Sequence, residues 1–87
     1  MIQQTILLAY YDIFIELNQR QQQVLEYIKT HPKCNNKEIA DGLRLRINSV
    51  TPRTKELREL KQIFISGTKP DFETGKITNT YEAVNND

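Results

Sequence analysis

Residues 35–60 read NNKEIADGLRLRINSVTPRTKELREL, and the interpretation of this stretch decides the rest of the chain. It reads as two short helices joined by a tight corner. The first is predicted to begin at Asn35, whose side chain can accept from the backbone N–H near Glu38 while Glu38 reaches back to the Asn35 N–H, a reciprocal cap. Ile39, Ala40 and Leu43 then fall on one face. Ala40 stands where the two helices cross most closely, a position a bulkier side chain would force apart. In the second helix Val50, Leu57 and Leu60 repeat at helical spacing, with Thr54 filling the gap. Asn48 or Ser49 is the expected cap, which places this helix at about residues 49–60 and puts Pro52 within or just past the first turn, where a missing N–H costs little. The opposite face collects Ser49, Thr51, Pro52, Lys55 and Arg58, with Arg46 on the corner just before it.

Upstream, residues 18–30 are predicted to form another helix, with Asn18 as cap, Gln21 three residues on, Val24, Leu25 and Ile28 as the core stripe, and Pro32 beyond its end. His31 beside that proline suits a surface or helix-end charge partner better than a ligand or base, because the helix dipole already favours it there. Cys34, with no nearby base and no second thiol, reads as a small, partly buried filler. Residues 3–17 are ambiguous. Ile6, Tyr10, Ile13 and Leu17 recur at helical spacing, which favours an N-terminal helix over residues 1–17, yet the run IFI also suits a buried strand. This face either covers the core or pairs with a second copy of the chain.

Downstream the apolar period changes from 3.6 to 2, so KQIFISG reads as a short strand, residues 67–75 as a loop, and ITNTYEAV at residues 77–84 as a returning antiparallel strand. The fold class is therefore mainly α with a small antiparallel β-hairpin. Lys69 and Lys76 flank the loop, with Asp71 and Glu73 between them. Residues 85–87 read as a frayed tail.

The positive charge is unevenly placed. Net charge is only +1, but residues 1–43 hold four Lys/Arg against five Asp/Glu, a balance of −1, while residues 44–61 hold six against two, a balance of +4. That concentration on the corner and second helix suits a nucleic-acid surface better than a solvated helix of mixed ion pairs, which is usually near neutral.

At 87 residues the chain is one domain, near the lower end of what buries a useful core unaided, and its 38% hydrophobic and 26% charged content is that of an ordinary globule. A single cysteine allows no internal disulfide, which points to a reducing, cytoplasmic setting. No apolar run of about 18 residues spans a membrane, and the N-terminus, with Asp12 and Glu16 and no basic start, does not read as a signal peptide. Gly67 and Gly75 lie too far apart for a phosphate loop, and Ile77 follows Lys76 where that motif needs Ser or Thr. There is no metal-ligand cluster, paired carboxylate or Ser/His/Asp set, so neither an enzyme nor a cofactor or metal is expected.

Taken together, NKEIADGL, INSVTPRTKELREL, IFISG and the later ETGK resemble the winged helix-turn-helix superfamily, most closely its small phage and MarR-like DNA-binding domains. The likeness covers residues 19–84 and rests on the order and spacing of these segments more than on any one of them. It implies a domain over residues 18–84 that lays its second helix in the major groove of double-stranded DNA, as a small regulator of transcription or of a phage or mobile element. Asn48, Ser49, Thr51, Pro52 and Lys55 would then lie nearest base edges, and Arg46 and Arg58 on phosphates. Arg53 either reaches phosphate or pairs with Glu38 or Glu56, and Lys69 and Lys76 of the wing approach phosphate or the minor groove. A homodimer would match a palindromic site. Family members usually place Gly where this chain has Arg44, so either the first helix ends early or Arg44 adopts a left-handed conformation costing about 1 kcal/mol. The alternative is a protein-interaction adaptor with no affinity for DNA.

Overall fold

Three helices, α1 (Gln19–Thr30), α2 (Asn36–Leu43) and α3 (Ile47–Glu59), are followed by an antiparallel hairpin of β1 (Ile63–Pro70) and β2 (Ile77–Ala83). The computed structural model describes residues 16–84. The expected N-terminal helix, its pairing with a second copy and the tail at residues 85–87 lie outside the described residues, except that residues 16 and 17 are not helical.

Both helices with a reciprocal cap begin as their spacing predicts. Asn18 Oδ1 accepts from Gln21 N at 2.8 Å and Gln21 Oε1 from Asn18 N at 2.9 Å. Asn35 Oδ1 accepts from Glu38 N at 2.8 Å and Glu38 Oε1 from Asn35 N at 3.0 Å. α3 departs from expectation. It starts at Ile47, with Arg46 as an N-cap that makes no side-chain hydrogen bond, so Asn48 and Ser49 lie inside the first turn and Pro52 sits in the helix interior. The cap follows the backbone of Arg46, extended at φ −74° and ψ 146°, and owes nothing to a capping side chain.

α2 and α3 each end in a left-handed cation. Arg44 has φ 59° and ψ 44°, and Leu45 N donates to Ala40 O at 2.8 Å. At the end of α3, Lys61 has φ 62° and Gln62 N donates to Leu57 O at 2.9 Å. These closures satisfy carbonyls a helix end would otherwise leave bare. A side chain in this region costs about 1–2 kcal/mol, which a positive charge beside the negative end of the helix dipole partly offsets. The second alternative for Arg44 is thus the observed one. Gly42 has a different use: a Cβ there would stand 2.6 Å from Tyr27 Cζ and Oη, so only glycine lets α2 lie flat against that ring. His31 stacks on the same tyrosine, its ring centroid 4.0 Å from that of Tyr27.

The core is built from Val24, Leu25 and Ile28 of α1, Ile39 and Ala40 of α2, Val50 and Leu57 of α3, and Ile63 and Tyr81 of the hairpin. Each aliphatic removed fully from water contributes about 1.5–3 kcal/mol. Cys34 belongs to this cluster and is fully buried, more so than a partly buried filler. Its backbone extends the sheet, since Tyr81 N donates to Cys34 O at 2.8 Å and Lys33 N to Tyr81 O at 2.9 Å. Thr54 fills the gap in the α3 stripe and is 1% exposed, its hydroxyl 2.9 Å from Asn36 Oδ1 of α2.

The hairpin is longer and its loop shorter than the sequence suggests. Gly67 pairs with Thr80 and Pro70 with Ile77, so the turn is confined to residues 71–76. A bulge between Ile65 and Gly67 shifts the register. The register is regular from Ile63 to Ile65, yet Ile65 is 43% exposed although the period of 2 groups it with buried Ile63.

Candidate nucleic-acid interface

α3 presents three distinct strips. Val50, Thr54 and Leu57 are buried. Ile47, Thr51 and Arg58 form the edge beside the hairpin, as a groove shared by Ile47, Thr51 and Asp71 and the approach of Arg58 to Tyr81 both show. Away from both lies an exposed stripe of Asn48, Pro52, Lys55 and Glu59, one residue per turn, bordered by exposed Thr51. Four of the residues expected nearest bases, Asn48, Thr51, Pro52 and Lys55, therefore share one open surface, and Ser49 is half-buried beside it. The Thr51 hydroxyl donates back to Ile47 O at 3.2 Å, which leaves its lone pairs free to accept.

The expected cations divide into two groups. Among the described residues Arg46, Lys55 and Lys76 make no ion pair and are exposed, as is Arg44 at the corner. The others are engaged. Arg53 forks onto Glu56, Nε to Oε1 at 2.8 Å and Nη2 to Oε2 at 2.9 Å. That bond, with a second from Gln21, lowers the Glu56 carboxyl to about 2. Lys69 Nζ lies 2.8 and 2.9 Å from the two oxygens of Glu38, a bond that ties the hairpin to the cap of α2. Arg58 holds its guanidinium 5.9 Å from the Tyr81 ring centroid, with a buried Nε that has no hydrogen-bond partner among the described residues.

The acidic side of the hairpin loop comes closer to α3 than the sequence suggests. Asn36, Lys37, Ile47, Thr51, Asp71 and Glu73 line a groove of about 350 Å³ between the loop and the start of α3. Asp71 Oδ1 accepts from Glu73 N at 2.7 Å and Thr74 N at 3.1 Å, and these two backbone donors keep its carboxyl below the usual range. Lys37 Nζ stands 3.1 Å from Glu73 Oε1, 3.8 Å from Asp41 Oδ1 and 5.8 Å from the centroid of the Phe72 ring. The hydrogen bond to Glu73 raises the Lys37 ammonium above its ordinary value. Nothing local in the sequence marks Lys37 and Ile47 as part of this surface, because their neighbours here come from the distant loop.

Among the described residues there is no group of three or more His, Cys, Asp or Glu able to hold a metal ion, and no helix long and apolar enough to cross a membrane. No family model, curated protein or solved structure matches the chain.

Proposed function

We propose that the protein is a winged-helix domain that binds double-stranded DNA, with α3 in the major groove. The observation that carries this reading is the open stripe of Asn48, Thr51, Pro52 and Lys55 on a helix whose opposite strip is fixed in the core, with Arg44, Arg46 and Lys55 along or beside it making no ion pair among the described residues. A helix fits the major groove when one side is anchored and the other offers short polar groups and cations. Asn48 and Thr51 offer hydrogen bonds to base edges, Pro52 offers apolar contact to a thymine methyl, and Arg46 and Lys55 bind phosphate. Lys76 of the wing reaches a flanking phosphate. Arg53, Arg58 and Lys69 serve the fold through the partners described above. A regulator acting by occupying its site, alone or as a homodimer on a palindrome, is the role this reading suggests.

With about three or four phosphate contacts, log K should fall with log[salt] at a slope of about −3 to −4. The test is anisotropy of a labelled random duplex titrated at several salt concentrations, with wild type and the double variant Arg46→Ala, Lys55→Ala. The double variant should lose about tenfold or more in affinity at low salt, flatten the slope by about 2, and melt as wild type does. Equal affinity in the two proteins would remove the assignment. A second reading, a winged-helix adaptor that binds protein, is favoured by Ile47, Phe72 and Ile77, which are 44%, 61% and 68% exposed at or beside the acidic loop. It predicts no appreciable duplex affinity even at low salt.

A further inference from the structure

The Lys37–Glu73 pair has no evident structural duty. Lys37 occupies the first turn of α2, the positive end of the helix dipole, where a cation is unfavourable unless something else holds it. What holds it is Glu73, 3.1 Å away on the hairpin loop, with Asp41 at 3.8 Å on the next turn. The glutamate side chain is 61% exposed and the lysine 26%, so the pair meets water on its glutamate side and is screened there. A contact of that kind contributes little to folding. Yet it lies in the groove that also contains Ile47 and Thr51, at the start of the helix assigned to the DNA interface. The hairpin is anchored there independently, by Lys69 on Glu38 and by Asn35 Nδ2 donating to Thr78 Oγ1 at 3.0 Å. The two strands that carry the loop are therefore held to α2 by bonds other than the Lys37–Glu73 pair.

We propose that Glu73 is a built-in competitor for DNA: its carboxylate occupies the Lys37 ammonium that a duplex phosphate would otherwise take, so the pair must open before DNA closes on the start of α3. The inference rests on the DNA-binding reading above. Carboxylate and phosphate oxygens are both anionic acceptors for an ammonium, so one replaces the other without strain. Asp71, whose carboxylate stays ionised because two backbone N–H groups hold it, keeps the tip negative throughout. The consequence is weaker attachment to DNA in general, while contacts from Asn48 and Thr51 to bases are untouched. The pair thereby raises the share of binding that depends on sequence.

The test is a double-mutant cycle read by anisotropy on a random-sequence duplex, using wild type, Glu73→Gln, Lys37→Met and both together. Glu73→Gln should bind about threefold to tenfold tighter at low salt, with a salt slope steeper by about 0.9, the signature of one more phosphate contact. Lys37→Met should bind no tighter than wild type. The gain from Glu73→Gln should largely vanish when Lys37→Met accompanies it. A gain of the same size in both backgrounds would show simple removal of repulsion and overturn the proposal, as would no gain at all. If wild type and all three variants fail to bind at low salt, the DNA-binding reading itself falls, and this inference with it.

Discussion

The thiol of Cys34 is 3% exposed, and burial pushes it up from 9.0 to about 11. Below about pH 9 it is protonated whether the chain is folded or not. Between pH 9 and about 11 the unfolded chain releases the proton and the folded chain keeps it, so the unfolded state binds fewer protons and stability falls as pH rises, by about 2–3 kcal/mol. Tyr27, raised above 10.0 chiefly by burial, acts in the same direction, which makes a comparison with Cys34→Ala necessary. Urea unfolding should show wild type more stable than the variant at about pH 8, with the gap closing by most of that amount near pH 11. A gap that stays constant would mean the thiol ionises as easily folded as unfolded. The same residue shows what sequence conveys at this scale: the lack of a second thiol or a base argued for a filler, but its complete burial depends on Tyr81 and the backbone bridge to β2, which no local pattern announces.

Two asparagine caps allow a controlled comparison at the level of elements. Asn18 and Asn35 begin their helices with the same reciprocal bonds, at nearly the same lengths. Asn18 is exposed, whereas Asn35 is 1% exposed and also donates to Thr78 of β2. Asn18→Ala should cost about 1 kcal/mol, the usual value of a cap. Asn35→Ala should cost about 2–3 kcal/mol, because it also strips a cross-element hydrogen bond in a place water does not reach. Equal losses in denaturant titrations would show that the link from α2 to the hairpin carries no energy. Both caps were legible because a polar residue and its partner three positions later settle them locally. The start of α3 was not. Asn48 and Ser49 have the right chemistry for a cap, but the left-handed Arg44 sends the chain into the helix early, leaving Arg46 at the boundary with no capping side chain. Gly67 likewise reads as a turn residue and instead pairs within β1, after a bulge the alternation of Ile63 and Ile65 gives no hint of.

Over the whole molecule, the helix order and hairpin follow from period and punctuation, while the charge map does not. The concentration of cations in residues 44–61 is plain in the sequence, yet which of them are free depends on partners far along the chain, such as Glu38 for Lys69 and the hairpin ring of Tyr81 for Arg58. The same contacts bind the hairpin to the helices as one unit. Tyr81 is central to this: it is 3% exposed, its backbone pairs with Ile65 on one side and Cys34 on the other, and its ring lies beneath Arg58. Truncating such a buried aromatic costs about 3–5 kcal/mol. A domain of this size has about 5 kcal/mol or little more to lose. Tyr81→Ala should therefore unfold α1, α2 and α3 along with the strand it belongs to, measured as loss of helical circular dichroism near room temperature, whereas Tyr81→Phe, which keeps the ring, should stay folded. Helices that persist without the Tyr81 ring would make the hairpin an appendage, and the fixed relation between loop and α3 on which the competition for Lys37 depends would lose its physical basis.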